Sequence, residues 1–390
     1  MKRLLFVTYD FPYPTNSGGK TRAYNMLKHS GSNFHKFIFS FVRSGHDKKN
    51  INELEKIGVR VAGLVERRRV SDPRNFLGLF SGSSIFKTLY YSPSIAKDLL
   101  RIITDKKIDI VHFESFYTAF FISDEIKKLG VKQIYGSENI ENKIYQDYVN
   151  NNTSVLLRPL YQTQADKIKD EEISMYKKAD LCLAVSSSEA KFIREYAVEC
   201  EIIRNGVDID DFKFKLPKAK AGKNILFIGN FSYFPNVDAI NYFYNEVFED
   251  LSGDFKLTVI GKKVESLGFL KDRRVEAKEF VPRIQDEYEN ADIFISPIRL
   301  GGGTNFKIIE AMAIGVPVIS LPHRLEGLDI KDGKHLVIAS TPRDFREKIE
   351  LVLLDLNLRE RIAKEARKLV EHEYSWKVIG NNLNTVWENL

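Results

Sequence analysis

Short apolar segments alternate with helix-length stretches from residue 4 to residue 338, and this alternation leaves few folds open to the chain. Strands separated by helices pair in parallel and need helices on both faces, which is the α/β architecture. The first set of predicted strands covers 4–8, 36–41, 60–65, 109–113, 131–135, 181–185 and 201–203. The second covers 225–229, 256–260, 275–280, 292–296, 316–320 and 335–338. Between the sets lies a charged stretch, 210–224, with Pro217 and Gly222, which reads as an interdomain linker. A chain of 390 residues also exceeds what one core usually supports. The expectation is two doubly wound, Rossmann-like domains, 1–210 and 211–374, with a C-terminal helix, 375–390, packing back on the first. Ligands belong at the carboxyl ends of such strands.

A hydrophobic content of 43% with 29% charged residues is that of a folded, soluble protein and excludes disorder. The apolar run after the basic start ends at Tyr9-Asp10, too short for a signal peptide, and nowhere do about 18 apolar residues follow one another. A cytoplasmic protein is expected. The net charge of +6 is modest and basic residues are matched by acidic ones along most of the chain, which argues against nucleic acid. Arg67-Arg68-Arg69 precede an aromatic-rich stretch, 75–91, that would suit a membrane surface or lipid-linked acceptor if exposed and is ordinary core if buried. Cys182 and Cys200 lie in or beside apolar runs without metal-ligand spacing and read as core thiols.

The densest chemical signal is Arg299-Leu-Gly301-Gly302-Gly303-Thr304-Asn305-Phe-Lys307-Ile-Ile-Glu310, directly after a predicted strand. Three glycines let backbone N–H groups approach an anion, and Thr304 or Asn305 can cap the following helix, whose N-terminus favours a diphosphate. Lys307 and Glu310 are three apart and share a helical face, one suited to phosphate and the other to vicinal hydroxyls. A plain glycine turn with a capping or salt-bridging glutamate is the alternative. Gly18-Gly19 open the first helix after the first strand, without the spacing of a P-loop or a dinucleotide fingerprint. His112, followed by Glu114, and Glu138-Asn139 come at the ends of successive strands and could converge on sugar hydroxyls. Gly229-Asn230 occupy the same place in the second set. Asp208 and Asp210 form a D-x-D, but in the crossover rather than after a strand, so no metal site is assigned.

Taken together, Gly18-Gly19, Asp109-Ile-Val-His112, Asn205-Gly-Val-Asp208 and Glu310-Ala-Met-Ala-Ile-Gly315-Val-Pro317-Val-Ile319 resemble the GT-B glycosyltransferases of family 4, over essentially the whole chain. Within that family the chain looks like the bacterial sugar transferases of polysaccharide assembly. The resemblance implies two domains facing a cleft and transfer of a sugar from a nucleotide diphosphate, UDP- or GDP-linked, to a glycan or lipid-linked acceptor. It further implies retained configuration, no metal and no other cofactor, on the inner face of the plasma membrane. By it, Glu310 binds ribose hydroxyls, Gly301 to Asn305 lie against diphosphate or sugar, and Lys307 approaches phosphate. Gly18-Gly19, Gly229, Asn230 and Arg299 then line the donor, and His112 faces the transferred sugar or acceptor. One position departs from the family: Gly302 stands where its first paired glutamate would be, and Lys307, Arg299 and Lys262 are the basic residues left to meet a diphosphate. A catalytically silent nucleotide-sugar-binding subunit, or an epimerase on the same fold, are the competing readings.

Overall fold

The computed structural model describes residues 1–43, 49–68, 72, 82–152, 155–219, 222–300, 306–323, 325 and 327–390. The chain divides into two compact units, Met1–Arg204 with Ile379–Leu390, and Asn205–Val378.

The first unit holds seven parallel strands: β1 (Lys2–Thr8), β2 (Phe34–Val42), β3 (Val59–Glu66), β4 (Ile110–Glu114), β5 (Lys132–Gly136), β6 (Leu181–Ala184) and β7 (Cys200–Ile202). Their order is β3-β2-β1-β4-β5-β6-β7. The second unit holds six: β8 (Asn224–Ile228), β9 (Lys256–Ile260), β10 (Val275–Lys278), β11 (Ile293–Ser296), β12 (Val318–Ser320) and β13 (Val337–Ile338), ordered β10-β9-β8-β11-β12-β13. Every segment read as a strand from the sequence carries one of these. The strands are apolar runs rather than alternations because helices cover both faces: Leu4 to Val7 in β1 are all fully buried. In each sheet the order reverses once, between β1 and β4 and between β8 and β11. Connections leave toward opposite faces there, and a crevice opens at the carboxyl ends.

Two expectations change. The charged stretch after Asp210 is no free linker. Phe212 is buried and its carbonyl accepts from Arg367 at 2.8 Å, while Lys215 N–H donates to Ile314 O at 2.9 Å. Gly315, at φ +95°, permits that approach, since a Cβ there would stand 2.3 Å from Lys215 O. The described part of the aromatic stretch 75–91 is core rather than lipid-facing: helix Ile85–Tyr90 buries Tyr90, and Phe86, Leu89 and Tyr91 pack on the same cluster. Arg67 donates to Tyr90 Oη at 3.0 Å and Arg68 to Thr88 O at 2.8 Å, so these cations tie the helix down. Arg69 and residues 75–81 lie outside the described residues. Cys182 and Cys200 are free, buried thiols at paired positions of β6 and β7.

The final helix, Trp376–Asn389, belongs to the first unit from Ile379 onward. Trp387 is fully buried there, with its ring 5.5 Å from that of Phe34 and 6.0 Å from that of His112. Asn384 anchors the helix by accepting from Gly31 N–H at 2.9 Å.

Candidate functional site

In the first unit, polar groups gather at the carboxyl ends of β1, β4 and β5. Helix Gly18–His29 begins after β1 with no side-chain cap and no acidic residue in its first turn, so its N–H groups remain suited to an anion. Gly19 leaves room for the side chains around it. A Cβ there would lie 2.4 Å from Tyr9 Oη and 3.1 and 3.2 Å from the two Glu138 oxygens. From this turn the helix carries Arg22 inward, where Nε meets Glu114 Oε1 at 2.6 Å and Nη1 donates to the carbonyls of Ile203 and Arg204 at 3.0 Å each.

β4 runs past His112 to Glu114, and residues two apart on a strand share a face. His112 Nε2 and Glu114 Oε2 are therefore 2.8 Å apart, while Trp387 Nε1–H donates to His112 Nδ1 at 3.3 Å. With Nδ1 accepting, Nε2 carries the proton and donates to Glu114. His112 is 0% exposed and both its nitrogens are occupied. Expected to face sugar or acceptor, its ring lies between Glu114 and Trp387. Burial and Arg22 hold the imidazole below its ordinary pKa against the pull of Glu114. Burial would raise Glu114, but Arg22 and His112 outweigh it and keep the carboxylate ionised. Gly136 of β5 makes room for the pair, since a Cβ there would fall 2.2 Å from Glu114 Oε2 and 2.7 Å from His112 Nε2.

Beyond β4 the backbone is strained. Ser115 sits at φ +90°, which L side chains rarely adopt, and its buried hydroxyl has no hydrogen-bond partner among the described residues. Glu138 and Asn139 follow β5, and Glu138 Oε1 and Asn139 Oδ1 are likewise buried without partners among the described residues. Burial, reinforced by Glu114 and opposed by Arg22, pushes Glu138 up to about 8. Glu141 is also pushed up to about 8 by burial, Glu172 and Glu138.

In the second unit the parts lie at the carboxyl end of β8 and on helix Phe306–Ile314. That helix buries Ile308, Ile309, Ala311, Met312, Ala313 and Ile314, which leaves Lys307 and Glu310 on its less buried side. Lys307 Nζ donates to Ile228 O and Asn236 Oδ1, both at 3.0 Å, and lies 4.8 Å from the Phe227 ring centroid. Its described hydrogen-bond partners are thus neutral oxygens, and burial pulls it down to about 8 although Glu310 pulls the other way. Asn236 in turn donates to Asn230 O at 3.0 Å and packs against Gly229. Gly229, Asn230 and Lys307 are so joined in one network. Glu310 Oε2 accepts from Tyr288 Oη at 2.9 Å, and burial raises the carboxyl above its usual range.

Arg299 does not join this group: it is paired with Asp238, at 3.1 Å (Nε) and 2.6 Å (Nη2), and stacked 4.3 Å from the Tyr242 centroid. An arginine already neutralised by a carboxylate has less to offer a diphosphate. Gly301, Gly302, Gly303, Thr304 and Asn305 lie outside the described residues. The sequence reading missed Tyr9, Arg22, Ser115, Asn236 and Tyr288. Arg22 and Asn236 lie a few residues beyond Gly18-Gly19 and Gly229-Asn230, but Arg22 meets Glu114 92 residues on and Tyr288 meets Glu310 22 residues on, distances that no local pattern reports.

Each of the two Rossmann-like units gathers polar groups at its strand switch point, where sheets of this kind bind ligands. Residues 51–211 match the family described as Glycosyltransferase Family 4, and residues 222–355 the family described as Glycosyl transferases group 1. The chain is a family 4 glycosyltransferase with the GT-B fold. It is 25% identical to an uncharacterised glycosyltransferase of Methanocaldococcus jannaschii over 55% of this chain and 60% of that protein. It is 23% identical to an uncharacterised 44.6 kDa protein in the cps region of Klebsiella pneumoniae, over 98% of this chain and 99% of that one. Among solved structures, sucrose-phosphate synthase of Thermosynechococcus elongatus matches with TM-score 0.72 at 13% identity, covering 100% of this chain and 99% of that one. Anabaena HepE in complex with UDP-glucose matches with TM-score 0.67 at 12% identity over 100% of both. At these identities the structures speak to the fold.

Proposed function

We propose that the protein transfers a sugar from a UDP- or GDP-linked donor to a glycan or lipid-linked acceptor in bacterial surface polysaccharide assembly, with retention and without a metal. The observation that carries this reading is the pair on helix Phe306–Ile314: an ammonium held by neutral oxygens and a carboxylate steadied by Tyr288, directly after the glycine run. The ammonium supplies charge for a departing diphosphate and the carboxylate accepts two ribose hydroxyls. The Klebsiella relative's place in a cps region and the UDP-glucose complex of HepE support the acceptor class and the donor class. No carboxylate is assigned as a nucleophile toward the anomeric carbon, so a front-face displacement in which the leaving phosphate helps remove the acceptor proton fits better than a covalent intermediate.

A thermal-shift and calorimetry panel of UDP- and GDP-sugars tests the reading; no shift with any of them would refute it. Lys307→Met should weaken binding of the responding donor about 10- to 100-fold, the cost of one charge-assisted hydrogen bond. Unchanged affinity would remove Lys307 from the diphosphate site.

The membrane-peripheral part of the proposal rests on a different surface from the aromatic stretch. Among the described residues no helix is long and apolar enough to cross a membrane. At the start of helix Arg158–Lys178, however, Val155 and Leu156 are 87% and 92% exposed, with Leu157, Leu160 and Tyr161 exposed beside them. Such a patch suits shallow insertion into a lipid interface. Leu156→Asp with Leu160→Asp should cut co-sedimentation with phosphatidylglycerol/phosphatidylethanolamine vesicles at least tenfold, as each leucine contributes about 1.5–3 kcal/mol on burial. Equal co-sedimentation of wild type and variant would count against a membrane role for this patch.

A further inference from the structure

We propose that Glu138 serves the first unit's site as a neutral carboxylic acid, donating a hydrogen bond to a hydroxyl oxygen of the sugar-side ligand rather than acting as a base. The inference rests on the glycosyltransferase reading and names how the sugar being transferred is recognised. Geometry carries it. Glu138 follows β5, its Oε1 is buried without a hydrogen-bond partner among the described residues, and its carboxyl stands against Gly19, where no side chain takes the space beside it. Asn139 Oδ1 and Ser115 Oγ are also buried without partners among the described residues. A site that collects unpaired polar atoms beside a glycine turn is built to be completed by a polar ligand.

The charges around Glu138 set its form. Tyr9 and Asp10 follow β1, Glu114 lies on β4, Glu141 opens the helix after β5, and Arg22 comes from helix Gly18–His29. Arg22 is the cation among them, and its Nε is already committed to Glu114 at 2.6 Å. Burial and Glu114 therefore keep the proton on Glu138 up to about pH 8. Tyr9 is raised in turn, first by Glu138 and then by its own burial, so its hydroxyl also stays a donor. A neutral acid offers one O–H and remaining acceptor capacity, the same pattern as a glutamine amide.

The test uses full-length wild type, E138Q and E138A, with transfer to water from UDP-glucose and from GDP-mannose measured between pH 6 and 9.5. Thermal unfolding without ligand is followed in parallel from pH 5 to 9. E138Q is expected within about threefold of wild type at pH 7 and E138A about tenfold or more below it. The ratio of E138Q to wild type should rise above pH 8; any alkaline limb from Lys307 is common to all three and cancels. In unfolding, a raised acid stabilises below its unfolded pKa and loses that contribution up to its folded value. The Tm of E138Q should therefore gain on wild type between about pH 4.5 and 8 and then level. E138Q as impaired as E138A, E138A as active as wild type, or unfolding profiles of wild type and E138Q that run parallel would each overturn the inference. Should neither nucleotide sugar be turned over, the functional reading fails for these donors, and the unfolding profiles still decide whether Glu138 holds its proton.

Discussion

Glu310→Ala is expected to lower nucleotide-sugar turnover by about 100-fold or more while leaving the fold intact. Two hydrogen bonds to a charged acceptor are worth about 1.5–3 kcal/mol each, and every 1.36 kcal/mol is tenfold in rate. Tyr288 fixes Glu310 Oε2 at 2.9 Å, so the carboxylate enters the reaction already oriented. Stability should move the other way. Burial raises the Glu310 carboxyl, and such a group stabilises at acid pH and loses its contribution as pH climbs above the unfolded value. At pH 8 the alanine variant should melt at or above the wild-type temperature, which separates lost binding from lost folding. Glu310→Gln should fall between the two in activity, because its amide oxygen still accepts from Tyr288 but its nitrogen cannot accept from a ribose hydroxyl. Unchanged turnover in Glu310→Ala would remove this carboxylate from the donor site.

The strands were legible because helices on both faces demand continuous apolar runs, and short-range pattern reports that directly. Lys307 and Glu310 were legible for a similar reason: two polar residues on a helix that otherwise buries alanine, methionine and isoleucine stand out. The surroundings of His112 were not legible because its strand looked finished at Phe113, whereas β4 continues to Glu114. One residue more of strand places His112 and Glu114 on one face, with Trp387, 275 residues from His112, on the other ring nitrogen. The pairing of Arg299 was hidden in the same way, its partner Asp238 being 61 residues distant. The charged stretch after Asp210 misled because charge predicts solvent, yet backbone carbonyls there serve as acceptors for Arg359 and Arg367. Long-range pairing is what single-sequence patterning lacks, and each of these contacts depends on it.

Arg22→Ala should destabilise the protein by about 3–5 kcal/mol, because it strands a carboxylate that is 1% exposed. For a domain of this size that is a fall in Tm of at least about 6 °C. The loss should depend on pH with a definite sign. In wild type, Arg22 and His112 overcome the burial of Glu114 and depress its pKa. Without Arg22 the burial contribution dominates and the pKa rises, so the variant loses stability progressively as pH climbs above about 4.5. The gap between variant and wild type should therefore be wider at pH 8 than at pH 5. Replacing both partners, Arg22→Met with Glu114→Gln, should recover at least half of the loss. It leaves no buried charge, and the glutamine oxygen can still accept from His112 Nε2. If the single variant were no less stable than wild type, or its deficit equal at both pH values, the Arg22–Glu114 pair would not be what holds the carboxyl ends of β1 and β4 in register with the glycine turn.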